Sequence, residues 1–528
     1  MVRGATDSSH PVVLIRSVRQ RTECLHCFWW TPGVLPAGCW GFSQMVRRVL
    51  FFAAFLALAA CGKDAQPAGA DAKAAAAGVD QEAATSVPPF DGSQLYSLNR
   101  SGFALTMNAS GGPLNDPSNP FFQSLGTNGR SCHTCHEPET GMTLTPERAR
   151  LRFEASRGLE PLFRTNDGSV SPNADVSSYA ARRQAFALLL DRGLIRVGIG
   201  MPAAGAEFEL VAVDDPYGFA SAKELSLFRR PLPSANLRFL STVMWDGRET
   251  FKDSSSPTGF ATIHFDLSDQ ANGATTGHAQ GQPLSQEQRE SIVNFEMQLF
   301  TAQAFDFRAG ALNADGAEGG PTPLVTQEYY LGINDPLGAD PEGFNPVAMT
   351  LYTAWENARG PIRGPAGTRA SIARGEVLFN TKPIAITGVS GLNDDLSIAS
   401  IPGTCTTCHD TPNSGNHSVP APLRIGTSEA DPVGGLDVRG LPVYTLRNLN
   451  TGETVRVTDP GKALLSGKWK DVARIKGPIL RGLASRAPYF HNGSARTIAD
   501  VVNFYDVRFS LNLTPREKRD LEAFLAAL

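Results

Sequence analysis

The sequence predicts a mostly α-helical protein of two tandem domains, with loop insertions and one small β-hairpin. Three observations lead to this expectation. Several segments carry the start signals of amphipathic helices, one short motif occurs twice, and each copy of that motif is followed by a similar pair of segments. A chain of 528 residues has room for two or three domains. Its 41% hydrophobic and 19% charged residues are typical of a globular protein. The net charge of −4 argues against nucleic acid or an anionic membrane surface as partner.

Several segments carry the start signals of helices. A Ser or Thr that can cap the first turn, followed by proline or by glutamate or glutamine, is typical of a helix N-terminus. Apolar residues at i, i+3, i+4 and i+7 then give such a helix one buried face. The predicted helices begin near Thr145, Ser285, Ile372, Thr497 and Thr514. Alternating apolar residues within 194–213 predict the hairpin instead.

The motif that occurs twice is Cys-X-X-Cys-His, at residues 132–136 and 405–409. Two thiols at this spacing can each form a thioether to one vinyl group of a haem, and the adjacent histidine can bind the iron from the proximal side. A zinc half-site or a chance match is the alternative, and the second copy weakens it. The sequence therefore predicts two covalently bound haems c, attached at Cys132, Cys135, Cys405 and Cys408, with His136 and His409 as iron ligands.

Each copy of the motif is followed by an equivalent pair of segments, which indicates an internal duplication. Arg229-Arg230-Pro231 precedes Met244-Trp245-Asp246-Gly247 in the first half, and Lys476-Gly477-Pro478 precedes Phe490-His491-Asn492-Gly493 in the second. We therefore expect one cytochrome c-like domain at 90–310 and another at 367–528, each with one haem. The Gly- and Pro-rich residues 311–366 are expected to form a linker and surface loops.

The first 89 residues carry export signals rather than a folded domain. Arg47 and Arg48 precede an apolar run, 49–60, that ends at Cys61, as in a bacterial lipoprotein signal peptide with an acylated cysteine. An ordinary signal peptide cut nearby is the alternative. We expect 45–60 to be the signal, 61–89 to be a disordered tether and 1–44 to be a misassigned N-terminal extension. The mature protein would then lie on the periplasmic side, anchored to a bacterial membrane, with the outer membrane favoured.

Two further segments resemble signatures of the bacterial di-haem cytochrome c peroxidases and MauG. Residues 488–493, Pro-Tyr-Phe-His-Asn-Gly, are similar to the PYFHxG signature, and residues 245–248 are similar to WDGR of the same superfamily. The resemblance implies that the N-terminal haem binds hydrogen peroxide and that the C-terminal haem relays electrons or stores an oxidising equivalent. It also implies that Trp245 lies between the haems and assists the transfer. A core tryptophan that packs the domain interface is compatible with that role.

Tyr505 indicates the MauG-like branch of this superfamily. Typical peroxidases of the family have a methionine as distal ligand of the second haem, in the helix after PYFHxG, whereas MauG-type members have a tyrosine there. The resemblance therefore implies His409 and Tyr505 as the iron ligands of the second haem. Helical periodicity alone favours a core tyrosine at this position. An iron-bound tyrosine loses its proton and, as a hard anionic ligand, lowers the reduction potential.

Reductively activated peroxidases of the family carry a loop histidine that blocks the distal position of the first haem. No histidine stands between His136 and Trp245 here, so the resemblance implies an open or water-bound distal position, as in MauG. Met142 and Met201 are alternative ligands, although lone methionines are more often core residues.

Peroxide cleavage also needs a group that moves a proton between the two oxygens. The family uses a Gln and, ten residues later, a Glu, and these places fall on Gln270 and Gln280 here. Since Gln280 cannot transfer protons as a carboxylate does, His278 is a substitute, because a histidine can accept and donate a proton near neutral pH. A solvent-facing loop histidine is the alternative for His278, and His264 is a weaker candidate of the same kind.

No calcium site is predicted. The family's calcium ligands fall on Arg230 and Arg486, whose guanidinium groups cannot bind the ion but can pair with haem propionates. The resemblance places His491 near the second haem without making it a ligand. His417, in a Gly/Asn/Pro loop, is expected to be solvated and is the reserve ligand if Tyr505 does not bind iron.

The resemblance implies a haem-dependent oxidoreductase that reduces hydrogen peroxide with electrons from a small redox protein, a cytochrome c or a cupredoxin. The alternative is a MauG-like oxidase that uses peroxide to oxidise a protein or an organic substrate through Trp245. A non-catalytic electron-transfer cytochrome is a third possibility. The expected open site on the first haem argues against it, because pure electron carriers generally fill both axial positions.

Overall fold

The structure is a computed structural model, and it describes residues 92–338, 340, 342–361 and 364–528. The expected signal segment, Cys61 and the tether lie outside the described residues.

The described residues contain both α-helices and β-strands. The helices are α1 (Pro146–Ser156), α2 (Tyr179–Ala185), α3 (Ala187–Arg192), α4 (Ile263–Gly277), α5 (Gln286–Met297), α6 (Thr322–Thr326), α7 (Pro365–Thr381), α8 (Ala463–Ser466), α9 (Ile498–Phe509) and α10 (Pro515–Ala526). The strands are β1 (Gln94–Leu98), β2 (Gly102–Asn108), β3 (Ile195–Ile199), β4 (Phe208–Asp214), β5 (Leu225–Arg229), β6 (Leu299–Asp306), β7 (Gly310–Ala311), β8 (Ile384–Thr387), β9 (Ser400–Gly403), β10 (Val443–Asn448) and β11 (Thr454–Val457).

The expectation of a mostly α-helical, cytochrome c-like fold is wrong. Of the described residues, only 30% are helical and 17% are in strands or bridges. Within the described residues the strands form four sheets, ordered β1-β2-β6-β7, β11-β10-β4, β3-β5 and β8-β9. Most of these strands are short, and several pair with partners far along the chain. Local periodicity therefore gave weaker signals for them than for the helices.

The hairpin expected within 194–213 is also wrong in its pairing. β3 pairs with β5, so that Ile195 lies opposite Arg229. β4 pairs instead with β10 of the second half, with Phe208 opposite Asn448. Alternation of apolar residues predicts a strand but not its partner, and this partner lies more than two hundred residues further along the chain. The β4–β10 pair joins the two halves directly.

Four of the five predicted helix starts are confirmed, whereas the helix that contains Ile372 begins earlier, at Pro365. The side chains of Thr145, Ser285, Thr497 and Thr514 each accept a hydrogen bond from the backbone N–H three residues later. The apolar segment near Ile372 lies in α7. None of the helices in the described part of the chain is long and apolar enough to cross a membrane.

The recurring segments of the two halves adopt the same backbone turn. Met244 and Phe490 have φ values of 64° and 63°, and Gly247 and Gly493, three residues later, have φ values of 79° and 64°. In each turn the glycine N–H donates to the carbonyl three residues earlier, at 3.3 Å. The short sequence similarity therefore corresponds to a real similarity of conformation.

These two turns contact each other across the halves. Lys476 N donates to Trp245 O at 2.9 Å, and Arg230 N donates to His491 O at 2.6 Å. The rings of Trp245 and His491 meet edge to face, with 6.2 Å between their centroids. Trp245 thus lies at the junction of the halves.

A buried ion network fixes the same junction. Arg229 donates to Asp246 Oδ2 at 2.5 Å and to Asp459 Oδ2 at 2.7 Å. All three side chains are buried. Burial alone would raise the pKa of the Asp246 carboxyl, but the charges of Arg229 and Arg248 lower it to about 2. The network therefore holds its charges across the whole neutral range.

Candidate functional site

The first Cys-X-X-Cys-His motif lines a cavity in the N-terminal half, called here the first cavity. Cys132–Thr134 form a 3₁₀ turn, closed by a hydrogen bond from Ser131 N to Thr134 Oγ1. The turn directs Cys132, Cys135 and His136 to the cavity. His136 Nδ1 lies 3.2 Å from Met142 O, which assigns the proton to Nδ1 and leaves the Nε2 lone pair free. Burial lowers the pKa of His136 to about 4, so the imidazole stays neutral.

The second motif repeats this geometry around a second cavity. Cys405–Thr407 form the same 3₁₀ turn, with Thr404 N donating to Thr407 Oγ1 at 2.9 Å. Cys405, Cys408 and His409 all line the second cavity. His409 Nδ1 lies 2.6 Å from Gly415 O, which again leaves Nε2 free. In both motifs the accepting carbonyl belongs to the sixth residue after the histidine.

The donor groups in each cavity fit a haem c. The four motif cysteines have free thiols, and each pair shares its cavity with a neutral imidazole. Cys thiols that can form thioethers and an adjacent imidazole with a free Nε2 are the groups that haem c attachment requires. Among the described residues, no group of three or more His, Cys, Asp or Glu side chains could hold a metal ion.

The two cavities share one wall, and Trp245 is part of it. Its indole Nε1 donates to Arg230 O at 2.8 Å, which fixes the ring. The residues that line both cavities, called here the shared wall, are Arg230, Pro231, Leu232, Pro233, Trp245, Lys476, Pro478, Ile479 and Arg486.

The shared wall contains three cations: Arg230 and Lys476 are buried, and Arg486 is half-buried. Within the described residues none of them forms an ion pair with a carboxylate; each donates instead to backbone carbonyls, for example Lys476 Nζ to Thr242 O at 2.8 Å. Burial lowers the pKa of Lys476 to about 7 and that of each arginine to about 10. Uncompensated buried charge is costly, so this wall is suited to anionic groups in both cavities.

Tyr505 lies in the second cavity with the motif residues. It projects from α9, and its ring stacks on Phe509 at an interplanar angle of 17°. Its hydroxyl has no hydrogen-bond partner among the described residues, and burial raises its pKa. A phenol without a hydrogen-bond partner, in the cavity that also contains the free Nε2 of His409, is compatible with an iron ligand.

His417 also lines the second cavity, and the expectation that it is solvated is wrong. Its side chain is buried, with Nδ1 3.4 Å from Asp410 Oδ1. Nε2 has no hydrogen-bond partner among the described residues. His417 therefore competes with Tyr505 for the role of second axial ligand. His491 lines the same cavity, but its Nε2 hydrogen bonds with Ser428 Oγ at 3.2 Å.

His278 lines the first cavity and is held by a buried carboxylate. Its Nδ1 lies 2.6 Å from Asp167 Oδ2, and Arg130 pairs with the other oxygen of Asp167. The His278 carbonyl accepts a further hydrogen bond from Asn128 Nδ2 at 2.8 Å. Burial alone would raise the pKa of Asp167, but the His278 hydrogen bond and the charge of Arg130 lower it. This ionised Asp167 favours a proton on Nδ1 and leaves Nε2 available as a base.

The structure separates the other predicted candidates. Gln270, on α4, lines the first cavity, whereas Gln280 is exposed and does not. His264 pairs with Glu290 at 3.2 Å and also lies outside the cavity. The side chains of Met142 and Met201 line neither cavity.

Two acidic residues of the first cavity were missed by sequence reasoning. Asp167 is separated from His278 by 111 positions, so no local pattern connects them. Glu296 lies on the inner face of α5, four residues after the buried Ile292. A carboxylate on the apolar face of a predicted amphipathic helix is the signal that could have identified it.

Curated proteins similar to this chain are cytochrome-c peroxidases. The chain is 29% identical to cytochrome-c peroxidase IdrP2 of Denitromonas iodatirespirans over 141 residues, which cover 24% of this chain and 36% of the relative. It is 39% identical to cytochrome-c peroxidase IdrP1 of Pseudomonas sp. (strain SCT) over 70 residues, 11% of this chain and 18% of the relative. The matches thus span about a third of the first relative's length or less. The chain matches no protein-family model.

Among solved structures, one similar chain is a MauG-like protein associated with microbial copper homeostasis. The superposition covers 78% of this chain and 86% of that chain, at 15% sequence identity and a TM-score of 0.33. A similarity of this size does not support an inference about function. Over the matched stretches, this chain is similar to cytochrome-c peroxidases, and this similarity agrees with the four motifs.

Proposed function

We propose that the protein is a di-haem c-type peroxidase that reduces hydrogen peroxide with electrons from a small cytochrome c or cupredoxin. The observation that carries this proposal is the shared wall, since it places Trp245 between two cavities that each contain a complete haem attachment motif. Reduction of peroxide to two waters consumes two electrons and two protons. Two redox centres in one chain can supply both electrons without releasing an intermediate.

The chain's own residues would divide the work as follows. Cys132, Cys135, Cys405 and Cys408 would attach the haems, and His136 and His409 would bind the irons through their free Nε2 atoms. The haem iron of the first cavity, when bound, supplies the redox chemistry for peroxide cleavage. Arg230, Lys476 and Arg486 would neutralise anionic haem propionates, and Trp245, which lines both cavities, would conduct the oxidising equivalent between them. Export and a lipid anchor on Cys61 would place this reaction on the periplasmic side of a membrane.

The geometry of the first cavity supports acid–base chemistry by His278. Its Nδ1 is committed to Asp167, so its Nε2 can accept a proton from the near peroxide oxygen and return it to the leaving oxygen. Gln270 can orient the substrate by hydrogen bonding from the same cavity.

A MauG-like oxidase is the second candidate function, and Tyr505 is the observation that favours it. A tyrosinate ligand would make the second haem a poor acceptor of electrons from mild donors and a better store of oxidising power. The oxidising equivalent would then leave through Trp245 to a protein or organic substrate.

Haem analysis and turnover together test the proposed function. The holoprotein should contain two covalently bound haems per chain and should consume peroxide in proportion to the oxidation of a reduced small cytochrome c or cupredoxin. Peroxide consumption that proceeds without the reduced cytochrome c or cupredoxin, but requires an added protein or organic substrate, would support the oxidase. Two haems without any reaction with peroxide would support an electron-transfer cytochrome and contradict both enzymes.

We expect Tyr505→Phe to raise the reduction potential of the second haem, because an anionic oxygen ligand that stabilises the ferric state is removed. The shift should be on the order of 0.1 V, within the roughly 0.8 V range that axial ligands span. His417→Gln is the matched control, since it removes the competing ligand from the same cavity. A potential and spectrum that change in His417→Gln but not in Tyr505→Phe would assign the ligand to His417.

We expect His278→Ala to slow the reaction of the ferric protein with peroxide by about 10²-fold or more, with unchanged haem content. Asp167→Asn should shift the pH profile of the same reaction, because it removes the charge that fixes the His278 tautomer. His264→Ala removes a histidine outside the first cavity and should react like the unmodified protein. Stopped-flow rates that are equal in all four proteins would reject His278 as the acid–base group.

A further inference from the structure

Glu296 is a buried carboxyl that lines the first cavity, and the proposed reaction assigns it no role. Its side chain is 5% exposed, and it projects from α5 into the cavity that Cys132 and His136 also line. A carboxyl in such a place is rarely found without a charged partner.

Glu296 differs from Asp167 of the same cavity and from the two carboxyls of the buried ion network. Asp167 is paired with Arg130, and Asp246 and Asp459 are both paired with Arg229. Glu296 has no such cation among the described residues: the Ser234 hydroxyl hydrogen bonds to it, and Oε2 has no partner. Its charged form is therefore poorly stabilised, while its protonated form is well tolerated.

Burial raises the pKa of Glu296 to about 7, and the Ser234 hydrogen bond partly offsets this effect. The carboxylate also lies near the point of haem attachment, since its charge contributes to the raised pKa of the Cys132 thiol. The other charged or titratable side chains facing the cavity are Arg130, Cys132, Cys135, His136, Asp167, Arg229, Arg230, Arg248, His278, Lys476 and Arg486. None of these is an ion-pair partner of Glu296.

We infer that Glu296 is the redox-linked proton site of the first cavity: it binds one proton when the haem there accepts one electron, and releases it on reoxidation. This inference rests on the proposed function, because it requires a haem in the first cavity. The added electron removes one positive charge beside the carboxylate, so protonation becomes more favourable. One electron and one proton then enter together, and the net charge of the cavity is unchanged. The bound proton is one of the two that peroxide reduction consumes.

The pH dependence of the first haem's reduction potential tests this inference in the holoprotein. Glu296 has a higher pKa beside the reduced than beside the oxidised haem, so the potential should fall as pH rises between these two values. The slope should approach roughly 59 mV per pH unit, the value for a tenfold change in a one-electron equilibrium. Glu296→Gln should flatten this slope, and the infrared difference spectrum of reduction should lose a protonated-carboxyl band.

Glu376→Gln is the matched control. Glu376 is also a buried glutamate whose pKa burial raises to about 7, but it lies on α7 and lines neither cavity. Glu376→Gln should retain both the slope and the infrared band. A slope in Glu296→Gln equal to that of the unmodified protein would overturn the inference.

Ser234→Ala provides a second variant in case Glu296→Gln does not retain haem. Losing the Ser234 hydroxyl should raise the pKa of Glu296 further and move the sloping region of the curve to higher pH. An unmoved curve would overturn the inference. A purified protein with no haem in the first cavity would instead overturn the proposed function, so the two failures are distinguishable.

Discussion

A variant with both Cys132 and Cys135 replaced by serine is expected to lose one of its two covalent haems and the entire reaction with peroxide. The two thiols are the proposed attachment points in the first cavity, and the second motif lies in a separate cavity with its own thiols and imidazole. The pyridine haemochrome assay should therefore fall from two haems per chain to one. Peroxide should then leave the spectrum of the remaining haem unchanged.

The reciprocal variant, with Cys405 and Cys408 replaced by serine, is the matched control. It should also contain one haem per chain, but that haem should still react with peroxide because the first cavity is intact. Its reaction with electron donors should be impaired. Peroxide reactivity that is retained by the first variant and lost by the second would show that the roles of the cavities are reversed.

Arg229→Leu is expected to lower the free energy of unfolding by about 3–5 kcal/mol, because two buried carboxylates would remain without their shared cation. Asp246 belongs to the turn of Trp245, and Asp459 lies 3.9 Å from His491 Nε2. The loss should therefore also loosen the junction on which both cavities depend. Guanidinium unfolding of the holoprotein, followed by tryptophan fluorescence, measures the change.

Arg447→Leu is the matched control for this variant. Arg447 pairs with Glu209 and also joins the two halves, through β4 and β10, but both side chains are exposed. Its removal should cost no more than about 1 kcal/mol. Equal losses in the two variants would contradict a special role for the buried network.

Acid should weaken the same network. Asp246 has its pKa lowered to about 2 in the folded protein, from an ordinary value of 3.8. Its contribution to stability is therefore fully present above the ordinary value and is lost as the pH falls through about 2.

The helices were predictable because their signals are local, and the two Cys-X-X-Cys-His motifs are local as well. Cys132 and Cys135 lie three positions apart in the sequence. The helix caps at Thr145 and Thr514 depend only on hydrogen bonds to the first turn of their own helix. The repeat around Trp245 and His491 was also visible in the sequence, as a similarity of four residues. In each case the interacting groups lie within one turn or one short segment.

The sheets and the acid–base network were not predictable in this way. β4 pairs with β10 across more than two hundred residues, and Asp167 meets His278 only after the chain has folded. The burial of His417 likewise depends on distant partners, such as the Ser241 hydroxyl that donates to its carbonyl. Gln280 was predicted from its spacing of ten residues after Gln270, but it is exposed. Spacing alone does not determine on which side of a turn a side chain lies.

The central claim is that two haem cavities share a wall containing Trp245 and that the first of them reacts with peroxide. Adding peroxide to the fully ferric holoprotein, followed by stopped-flow absorbance and electron paramagnetic resonance, tests it most directly. We expect the signals of both haems to change, because oxidation that begins in the first cavity reaches the second through the shared wall. Unchanged spectra of both haems, before and after prior reduction, would contradict the account.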